Sequence, residues 1–501
     1  MPDFATFLKK KGFIYQSSEI YGGLSGFYDY GHLGTRLKRN FENQWRRYFL
    51  GLNDNFHEIE TTNIMHANVF KASGHLDHFI DPIVNCSGCE FNERADHFVQ
   101  QKVGRRVEEL SPEELTAEIE KNKLRCPKCG GKLDPVSILN MMFPVKLGVG
   151  KIQQAYLRPE TAQSPYINFK LQFELLRNKL PLGLALVGKA FRNEISPRNL
   201  TLRQREFTQA ELQIFFNPEK IDEHPQFDAI RWYKLKIMLL KDRTNSAREV
   251  AAEELVEYGL PKFYVYHLVK IQQFYFEILQ IPEEKFRFYE LNEKEKAFYN
   301  KYHFDLEINL KEYGWTEVGG LHYRTDHDLK GHQKISGEKM DVFDEESGKK
   351  LIPHVLELSF GVDRNVYTLL DLNYEENKER GNVVLKLTNE ITPFFCAVFP
   401  LVKNKPELLV KAEEVYEAVR KEFSCFWDIS GSVGRRYARA DEIGVNFCVT
   451  ADFESLEDHS VTIRERDSTK QIRVKISDLN SVLGKMMSGK SKFETRSIPP
   501  F

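Results

Sequence analysis

The 501-residue sequence is poor in cysteine and contains no long apolar run. Seven cysteines cannot form a disulfide scaffold for a chain of this length, so we expect a reducing, cytoplasmic setting. No apolar stretch approaches the ~18 residues that a membrane helix needs, and the starting run MPDFATFLKKKGF lacks the apolar centre of a secretory signal. Neither sign of charge dominates, because 71 Lys and Arg face 73 Asp and Glu. Any contact with nucleic acid therefore depends on local basic patches.

The chain is rich enough in apolar residues, at 41%, for several packed cores, and its length suggests about three domains. Residues 85–135 hold four of the seven cysteines, which predicts an insertion, and the charged, mostly helical pattern of 217–299 predicts a second one. After a polar linker at 373–381, strand and helix signals alternate as in a compact α/β domain. The predicted divisions are a main domain in three parts (1–84, 136–216 and 306–388), a cysteine-rich insertion (85–135), a helical insertion (217–305) and a C-terminal domain (389–501).

The run from 184 to 216 predicts an antiparallel hairpin with a turn at 196–199. Because strand side chains alternate between faces, Arg192 and Glu194 share one face. The returning strand places five residues on one face: Arg203, Arg205, Phe207, Gln209 and Glu211. Two arginines, an aromatic ring, an amide and a carboxylate suit a polar floor that binds anions. The alternative is the solvated face of an edge hairpin.

Two shorter motifs add polar groups at strand-to-helix junctions. In LELSFGVDR, Glu357, Ser359 and Gly361 share a strand face. Arg364 follows in the first helical turn, where a cation opposes the helix dipole, which indicates either a functional role or a local salt bridge. In LRPETAQ, Glu160 lies where a helix begins, and this motif alone is also consistent with ordinary helix-start chemistry.

Four cysteines form two C-x-x-C pairs, Cys86 with Cys89 and Cys126 with Cys129. This spacing is typical of metal knuckles, and the glycines of CPKCGG permit a tight turn. Four thiolates predict structural zinc, because they leave no open position for catalysis. The gap between the pairs exceeds the usual ~15–20 residues. The alternatives are four free thiols or a mixed site that uses His78 or His97.

The stretch Leu33–Phe49 predicts a helix whose apolar residues lie four apart. Three histidines match no standard ligand set and are expected on the surface or in hydrogen bonds: His322, His327 and His332. The turn 431–434 fits either a phosphate cradle or a plain βα turn. The arginines that follow fit either an RNA contact or a solvated helix face: Arg435, Arg436 and Arg439. The remaining cysteines are expected in the core: Cys396, Cys425 and Cys448.

Several of these runs resemble a known family. FRNE with RxREF resembles motif 2 of the class II aminoacyl-tRNA synthetases, and SFGVDR resembles their motif 3. Further runs are similar to the dimeric glycyl-tRNA synthetases: SGHLDHF (73–79), RADH (94–97), RPETAQ (158–163), FRNEISPRN (191–199), REFTQAE (205–211), GWTEVGG (314–320) and DEIGVNFCVT (441–450). They occur in colinear order from about residue 12 to 475, which is far more specific than any single motif.

The resemblance implies an α+β fold, with a class II antiparallel sheet flanked by helices, insertions, and a C-terminal α/β anticodon-binding domain. It implies an enzyme that attaches glycine to the 3′ end of tRNA(Gly), with ATP and Mg²⁺, through a glycyl-adenylate. It also implies a cytoplasmic homodimer with the helix Leu33–Phe49 at its interface, and no membrane partner.

The resemblance also implies roles for individual residues. Arg192 and Arg364 are the expected catalytic residues: the first holds the ATP α-phosphate and the glycine carboxylate, and the second stacks above the adenine. The implied ATP-binding set is Arg192, Asn193, Glu194, Arg203, Gln204, Arg205, Glu206, Phe207, Thr208, Glu317, Val318, Gly361, Val362, Asp363 and Arg364. The implied glycine-binding set is Arg94, Glu160, Phe207, Thr208, Gln209, Ala210, Glu211, Glu357, Leu358, Ser359, Phe360 and Gly361.

The sequence departs from the family pattern at His32 and Leu358, where the family has proline, and at His322-Tyr323-Arg324, where the family has Ala-Asp-Arg. These departures leave the local backbone geometry and the role of Arg324 open. Two alternatives remain. One is a non-catalytic nucleic-acid-binding relative, which the retained motif 2 and 3 arginines oppose. The other is a class II synthetase for threonine, proline, serine or histidine. An ammonium-binding set without an evident side-chain pocket favours glycine instead: Glu160, Glu211 and Ser359.

Overall fold

A nine-stranded, mainly antiparallel sheet forms the centre of the chain. The computed structural model describes residues 3–105, 107, 110–149, 153–243, 246–297 and 299–488. In spatial order the strands of this main sheet are Arg248–Ala251, Lys234–Met238, Phe286–Glu290, Tyr302–Leu310, Gly314–Thr325, His354–Gly361, Glu206–Phe216, Leu182–Phe191 and Phe56–Glu58. Only the pairings of Phe56–Glu58 with Leu182–Phe191 and of Lys234–Met238 with Phe286–Glu290 are parallel. The predicted α+β class is confirmed.

The long helix His32–Leu50 packs under this sheet. Its apolar residues recur every fourth position, so they form one stripe, and all of them are buried within the chain: Leu33, Leu37, Phe41, Trp45 and Phe49. The Phe49 ring lies 4.9 Å from the ring of Phe360 on the central strand. The chain's own sheet covers this stripe, so these five side chains are not available to a partner subunit, and the position of the helix at a dimer interface stays a prediction.

The segment 217–305 is not a helical insertion. It contributes three strands to the edge of the main sheet, Lys234–Met238, Arg248–Ala251 and Phe286–Glu290. In the first of these, Leu235 and Ile237 are buried, while Lys234 and Lys236, which alternate with them, are more exposed. This period-two alternation was obscured by the high charge of the segment. Its helices are Phe227–Ile230, Ala252–Glu257 and Lys262–Gln273, the last continued by a π-helical turn, Phe274–Ile278.

The other elements of the main body surround this core. The helices are Phe4–Lys11, Ala67–Ala72, His75–His78, Gln163–Leu175, His327–Ser336 and Val362–Asn373. Small sheets pair Ile14–Gln16 with Tyr28–Tyr30, Val342–Asp344 with Lys349–Leu351, and Tyr374–Asn377 with Asn382–Leu385. A three-stranded sheet joins Ile64–His66, Gln153–Leu157 and Phe143–Leu147.

The cysteine-rich segment has an apolar core of its own, as expected for an insertion. Its sheet has the order Asn92–Arg94, Ile80–Asn85 and Ser137–Asn140, and its helices are Ala95–Val103 and Pro112–Lys121. The second helix begins with a capping box in which Ser111 and Glu114 satisfy each other's backbone N–H groups. The insertion therefore folds as a satellite beside the main sheet.

The C-terminal part is the α/β unit that the alternating pattern predicts. Its strands lie in the order Cys425–Trp427, Cys396–Pro400, Phe447–Ala451, Ser460–Glu465 and Gln471–Lys475. Its helices are Pro406–Val419, Val433–Glu442, Glu454–Asp458 and Leu479–Met487. The three remaining cysteines are buried in its core, as expected: Cys396, Cys425 and Cys448. The last part of the predicted domain, 489–501, lies outside the described residues. Within the described ranges, no helix has the length and apolarity to cross a membrane.

Candidate active site

The predicted hairpin is present and forms the floor of a polar cavity of about 400 Å³. Strands Leu182–Phe191 and Glu206–Phe216 pair antiparallel, and His354–Gly361 and Gly314–Thr325 extend the floor. Because side chains alternate, Phe207, Gln209 and Glu211 face the cavity while Ala210 and Leu212 enter the apolar core. The hairpin is therefore not the solvated face of an edge.

The structure brings most of the predicted residues to this one cavity. Those that line it are Glu160, Arg192, Glu194, Arg203, Gln204, Phe207, Thr208, Gln209, Glu211, Glu317, Val318, Glu357, Ser359, Gly361, Asp363 and Arg364. They come from five separate stretches of sequence, so only the sheet makes them neighbours. Asp363 is also held in place by side chains outside the cavity, because its carboxylate accepts hydrogen bonds from Lys38 (2.8 Å) and Tyr30 (2.7 Å).

A second group of predicted residues lies off the cavity, for identifiable reasons. Ala210, Leu358, Phe360 and Val362 are in the apolar core, since strand alternation or helix packing turns them inward: these positions need a small or apolar side chain. Asn193 and Glu206 are not on its wall either, and Glu206 pairs with Lys189 at 3.1 Å.

Two predicted arginines also lie off the cavity. Arg205 donates to the backbone carbonyls of Glu194 and Ser25, both at 3.0 Å, so it fastens the motif 2 turn. Arg94 pairs with Asp96 at 2.8 Å and with Asp81 at 3.3 Å beside the cysteine-rich insertion. Both are held by protein groups because each has complementary oxygens within reach outside the cavity.

The carboxylates at one end of the cavity are buried and close together. Glu211 accepts hydrogen bonds from the hydroxyls of Thr161 (2.6 Å) and Ser359 (2.8 Å) and from the amide of Gln209 (2.9 Å). Burial and the charges of Glu357 and Glu160 nevertheless raise the pKa of Glu211 to about 7. The end of the cavity thus holds excess negative charge that a cationic ligand group would relieve.

Arg324 is the buried counter-ion of this end, and its role was left open by the sequence. Its guanidinium donates to Asp328 at 2.9 and 3.1 Å and to Glu357 at 2.9 Å, and it lies 3.6 Å from Glu160. Burial opposes the ionisation of Glu357, but Arg324 and His322 outweigh it and lower the pKa to about 2. For Glu160, His75 and Arg324 likewise outweigh burial and hold the pKa well below its ordinary value.

Sequence reasoning assigned neither His303 nor His322 to the cavity, although both line it. His322 hydrogen-bonds Glu357, and its ring lies 4.1 Å from that of His303. Gly320 makes room for that imidazole, because a Cβ there would meet His322 Nε2 at 2.4 Å. His332 hydrogen-bonds Gln163 at 2.9 Å. The predicted hydrogen-bonding role is confirmed for His322 and His332. Strict alternation from Glu317 selects Gly319 and Leu321 rather than His322, because a register shift in this strand pair changes the phase before His322 is reached.

The other end of the cavity carries arginines and the aromatic ring. The Arg192 guanidinium lies 5.3 Å from the Phe207 ring and 5.5 Å from that of Phe79, and its Nε donates to the carbonyl of Pro159 at 3.0 Å. Arg203 pairs with Glu194 at 2.6 Å. This end can hold an aromatic base together with several negative oxygens.

Three nearby oxygens stabilise Arg364 in its unfavourable position at a helix start. It donates to the carbonyls of Leu202 and Glu317, both at 3.0 Å, and pairs with the Glu317 carboxylate at 3.2 Å. The salt-bridge alternative is therefore present, and it also orients the guanidinium on the cavity wall. The local conflict with the helix dipole is offset by these three oxygens.

The four insertion cysteines come together. Their sulfur atoms lie within 4.8 Å of one another, with Cys86–Cys129 and Cys89–Cys126 both at 3.5 Å. Tetrahedral zinc with Zn–S bonds of ~2.3 Å needs sulfurs about 3.8 Å apart, so the donor set and its geometry fit. Neither His78 nor His97 joins the four cysteines in this group of candidate metal ligands, so the mixed-site alternative finds no support here.

Comparisons with known proteins agree with this geometry. Residues 396–486 match the family described as anticodon binding domain. The glycine–tRNA ligase of Pyrococcus horikoshii is 39% identical, over 96% of this chain and 98% of its own length. Those of Methanothermobacter thermautotrophicus and Archaeoglobus fulgidus are each 37% identical, over at least 96% of both chains.

A polar cavity with an arginine-rich end on an antiparallel sheet, made from motifs 2 and 3 and followed by an anticodon-binding type of domain, defines a class II aminoacyl-tRNA synthetase. Near full-length similarity then fixes the substrate class. The chain belongs to the glycine–tRNA ligase family, the enzymes that charge tRNA with glycine.

Proposed function

We propose that the cavity activates glycine with ATP and transfers the glycyl group from the adenylate to the 3′-hydroxyl of tRNA(Gly), using the residues described above. The observation that carries this proposal is the cluster of buried carboxylates facing an arginine-rich end. A zwitterion as small as glycine can place its ammonium among the carboxylates and its carboxylate near Arg192. Residue roles follow from these two ends.

At the glycine end, Glu160, Glu211 and Ser359 surround the ammonium. Arg324 and His322 neutralise Glu357, so the net attraction for a cation rests on the other two carboxylates. The hydrogen bond that the Thr161 hydroxyl donates to Glu211 fixes the polar wall beyond the glycine Cα. An added methyl group would meet this wall, which adds repulsion to the small loss that one methylene normally brings.

At the ATP end, Arg192 bridges the α-phosphate and the glycine carboxylate, Arg203 holds the outer phosphates, and the adenine lies between Phe207 and Arg364. The carboxylate is already a nucleophile at neutral pH, so catalysis is positioning and charge stabilisation. Mg²⁺ bound with ATP supplies further charge stabilisation. Asp305 and Glu317, two carboxylates of the cavity wall, are the residues that would hold it.

Amino-acid-dependent ATP–pyrophosphate exchange tests this assignment. Glycine alone of the twenty amino acids should give strong exchange, and alanine and serine should be rejected without an editing domain. Ser359→Ala should weaken glycine use or loosen the rejection of alanine, because it removes a hydroxyl 2.8 Å from Glu211. Strong exchange with threonine, proline or histidine would overturn the substrate assignment. No exchange with any amino acid would favour the non-catalytic alternative.

The pKa of Glu211 predicts a pH dependence for glycine binding. A carboxyl group with a pKa of about 7 is mostly protonated at pH 6 and mostly ionised at pH 8, and only the ionised form attracts ammonium. The KM for glycine should therefore fall by about tenfold from pH 6 to pH 8, while the KM for ATP changes little. Glu211→Gln should raise the KM for glycine and flatten this profile. An unchanged profile in that variant would contradict the role.

The cysteine cluster is proposed to hold a structural zinc ion that stabilises the insertion. Metal analysis of gently purified protein should give about one zinc per chain. Cys126→Ser should abolish it, because three thiolates do not complete a closed tetrahedral site. Cys396→Ser, in the C-terminal core, is the matched control and should retain the metal. Less than about half an equivalent in the unaltered protein would reject the zinc assignment.

The C-terminal unit is proposed to grip the anticodon region of tRNA(Gly), which the match to anticodon binding domains supports. A homodimer is proposed as well, at a surface other than the buried stripe of helix His32–Leu50. The helix Gln163–Leu175 exposes three apolar residues at four-residue spacing, which supports an interface there: Ile167, Leu171 and Leu175. Charging tRNA is a step of protein biosynthesis, which supports a cytoplasmic location.

A further inference from the structure

A second cavity, of about 760 Å³, adjoins the active-site cavity. The two share Tyr299 and Asn300 in their walls. The outer cavity lies between the helices Ala67–Ala72 and His327–Ser336 and the segment that leads into strand Tyr302–Leu310. None of the proposed contacts to glycine or ATP uses it.

The outer cavity is basic, although the chain as a whole carries a net charge of −2. Four lysines line it against two aspartates, Asp77 and Asp326, and the lysines are Lys71, Lys301, Lys330 and Lys334. All four lysines are exposed, and Lys330 pairs with Asp326 at 2.7 Å. We call this surface the lysine groove.

Close helix packing brings the lysines together. A Cβ at position 331 would lie 2.4 Å from the carbonyl oxygen of Ala72, so only glycine allows the two helices to pack this closely. This contact sets Lys71 on one helix near Lys330 and Lys334, which follow one turn apart on the other. The groove is thus a consequence of the fold rather than of one charged run.

Tyr299 marks the boundary between the two cavities. Its ring stacks with His327, with centroids 5.3 Å apart and planes at 25°, and the Arg324 guanidinium lies 4.5 Å from its centre. These contacts hold Tyr299 in place beside a groove lined by lysines, and such a groove suits the phosphates of a single-stranded RNA backbone. Arg324, which lies 3.6 Å from Glu160, also places Tyr299 near the carboxylate end of the active-site cavity. The carboxylates of that end repel phosphates, so an RNA backbone has to be held outside it.

We propose that the lysine groove binds the phosphates of the single-stranded 3′ end of tRNA, so that only the terminal ribose enters the active-site cavity past Tyr299. This inference rests on the proposed function, and it names the surface by which that site receives its second substrate. The groove binds no part of glycine or ATP, so activation of glycine does not depend on it.

The test is the double variant Lys71→Ala/Lys334→Ala. Glycine-dependent ATP–pyrophosphate exchange should stay within about twofold of the unaltered enzyme, which also shows that the variant is folded. The KM for tRNA(Gly) in charging should rise by about tenfold, and the slope of log affinity against log salt should fall by about 1.4, at ~0.7 per lost phosphate contact. A charge-matched control, Lys10→Ala/Lys179→Ala, alters exposed lysines outside both cavities and should change neither value.

A shortened tRNA separates the 3′ end from the rest of the molecule. In direct binding, a tRNA(Gly) transcript that lacks its single-stranded 3′ end should bind the unaltered enzyme and the double variant equally, while the full transcript should distinguish them. Equal binding of the full transcript by both proteins, or equal weakening by the control variant, would overturn the groove assignment. Absence of glycine-dependent ATP–pyrophosphate exchange in the unaltered enzyme would instead overturn the proposed function.

Discussion

Arg192→Ala is expected to slow glycyl-adenylate formation by about 10²–10³-fold, a loss of ~3 kcal/mol or more of transition-state stabilisation. The Arg192 guanidinium is held by the carbonyl of Pro159 and lies beside the ring of Phe207, so it is fixed before substrates arrive. A preorganised cation needs no rearrangement as charge grows on the phosphate oxygens, and water cannot replace it. Rapid-quench measurement of adenylate formation gives the effect on the chemical step.

Two variants sharpen this expectation. Arg192→Lys keeps the charge but loses the planar fork, so it should recover only part of the rate. Arg205→Ala removes an arginine of the same motif that binds backbone carbonyls off the cavity, and the rate should fall by less than about tenfold. If both alanine variants lost the same rate, position in the cavity would not be the deciding property. Near-normal adenylate formation by Arg192→Ala would reject its catalytic role.

Arg324→Met is expected to destabilise the protein by about 3–5 kcal/mol, because it leaves buried carboxylates without their counter-ion. Arg324 is 2% exposed and makes ion pairs with Asp328, Glu357 and Glu160. Arg287→Met is the matched control. That arginine also has a carboxylate partner, Glu307 at 2.6 Å, and an aromatic neighbour, but it is less buried and should cost only about 1–2 kcal/mol. Urea unfolding compares the three proteins.

The pH dependence of this loss has a definite sign. In the unaltered protein the pKa of Glu357 is about 2, against an ordinary 4.5, so its contribution to stability is present above pH 4.5 and disappears as the pH falls towards 2. Without Arg324, burial dominates and raises the pKa of the carboxyl groups, so ionisation then opposes folding. The stability gap between Arg324→Met and the unaltered protein should widen from pH 6 to pH 8. A gap that is constant or absent would mean that the network is solvated.

The strand alternation and the turn residues around 184–216 were sufficient to predict the hairpin and the face that Phe207, Gln209 and Glu211 occupy. The same rule, applied with its register, excludes Ala210, Leu358 and Phe360 from the cavity, although the family resemblance alone carried them into the site. The strands at 234–251 were missed because short, highly charged strands give a weaker pattern than a helix.

By itself, the sequence determined the class of protein, the cysteine pairs, the α/β character of the C-terminal unit and the residue types of the cavity, because these depend on local spacing and on ordered motifs. Only the tertiary structure decided which charges meet. It turned the apolar stripe of helix His32–Leu50 inward, placed Arg324 among three carboxylates, and brought Lys71 close to Lys334. Those outcomes depend on sheet order and on the close approach of helices at positions such as Gly331. Contacts between residues hundreds of positions apart leave no periodic signal in the chain.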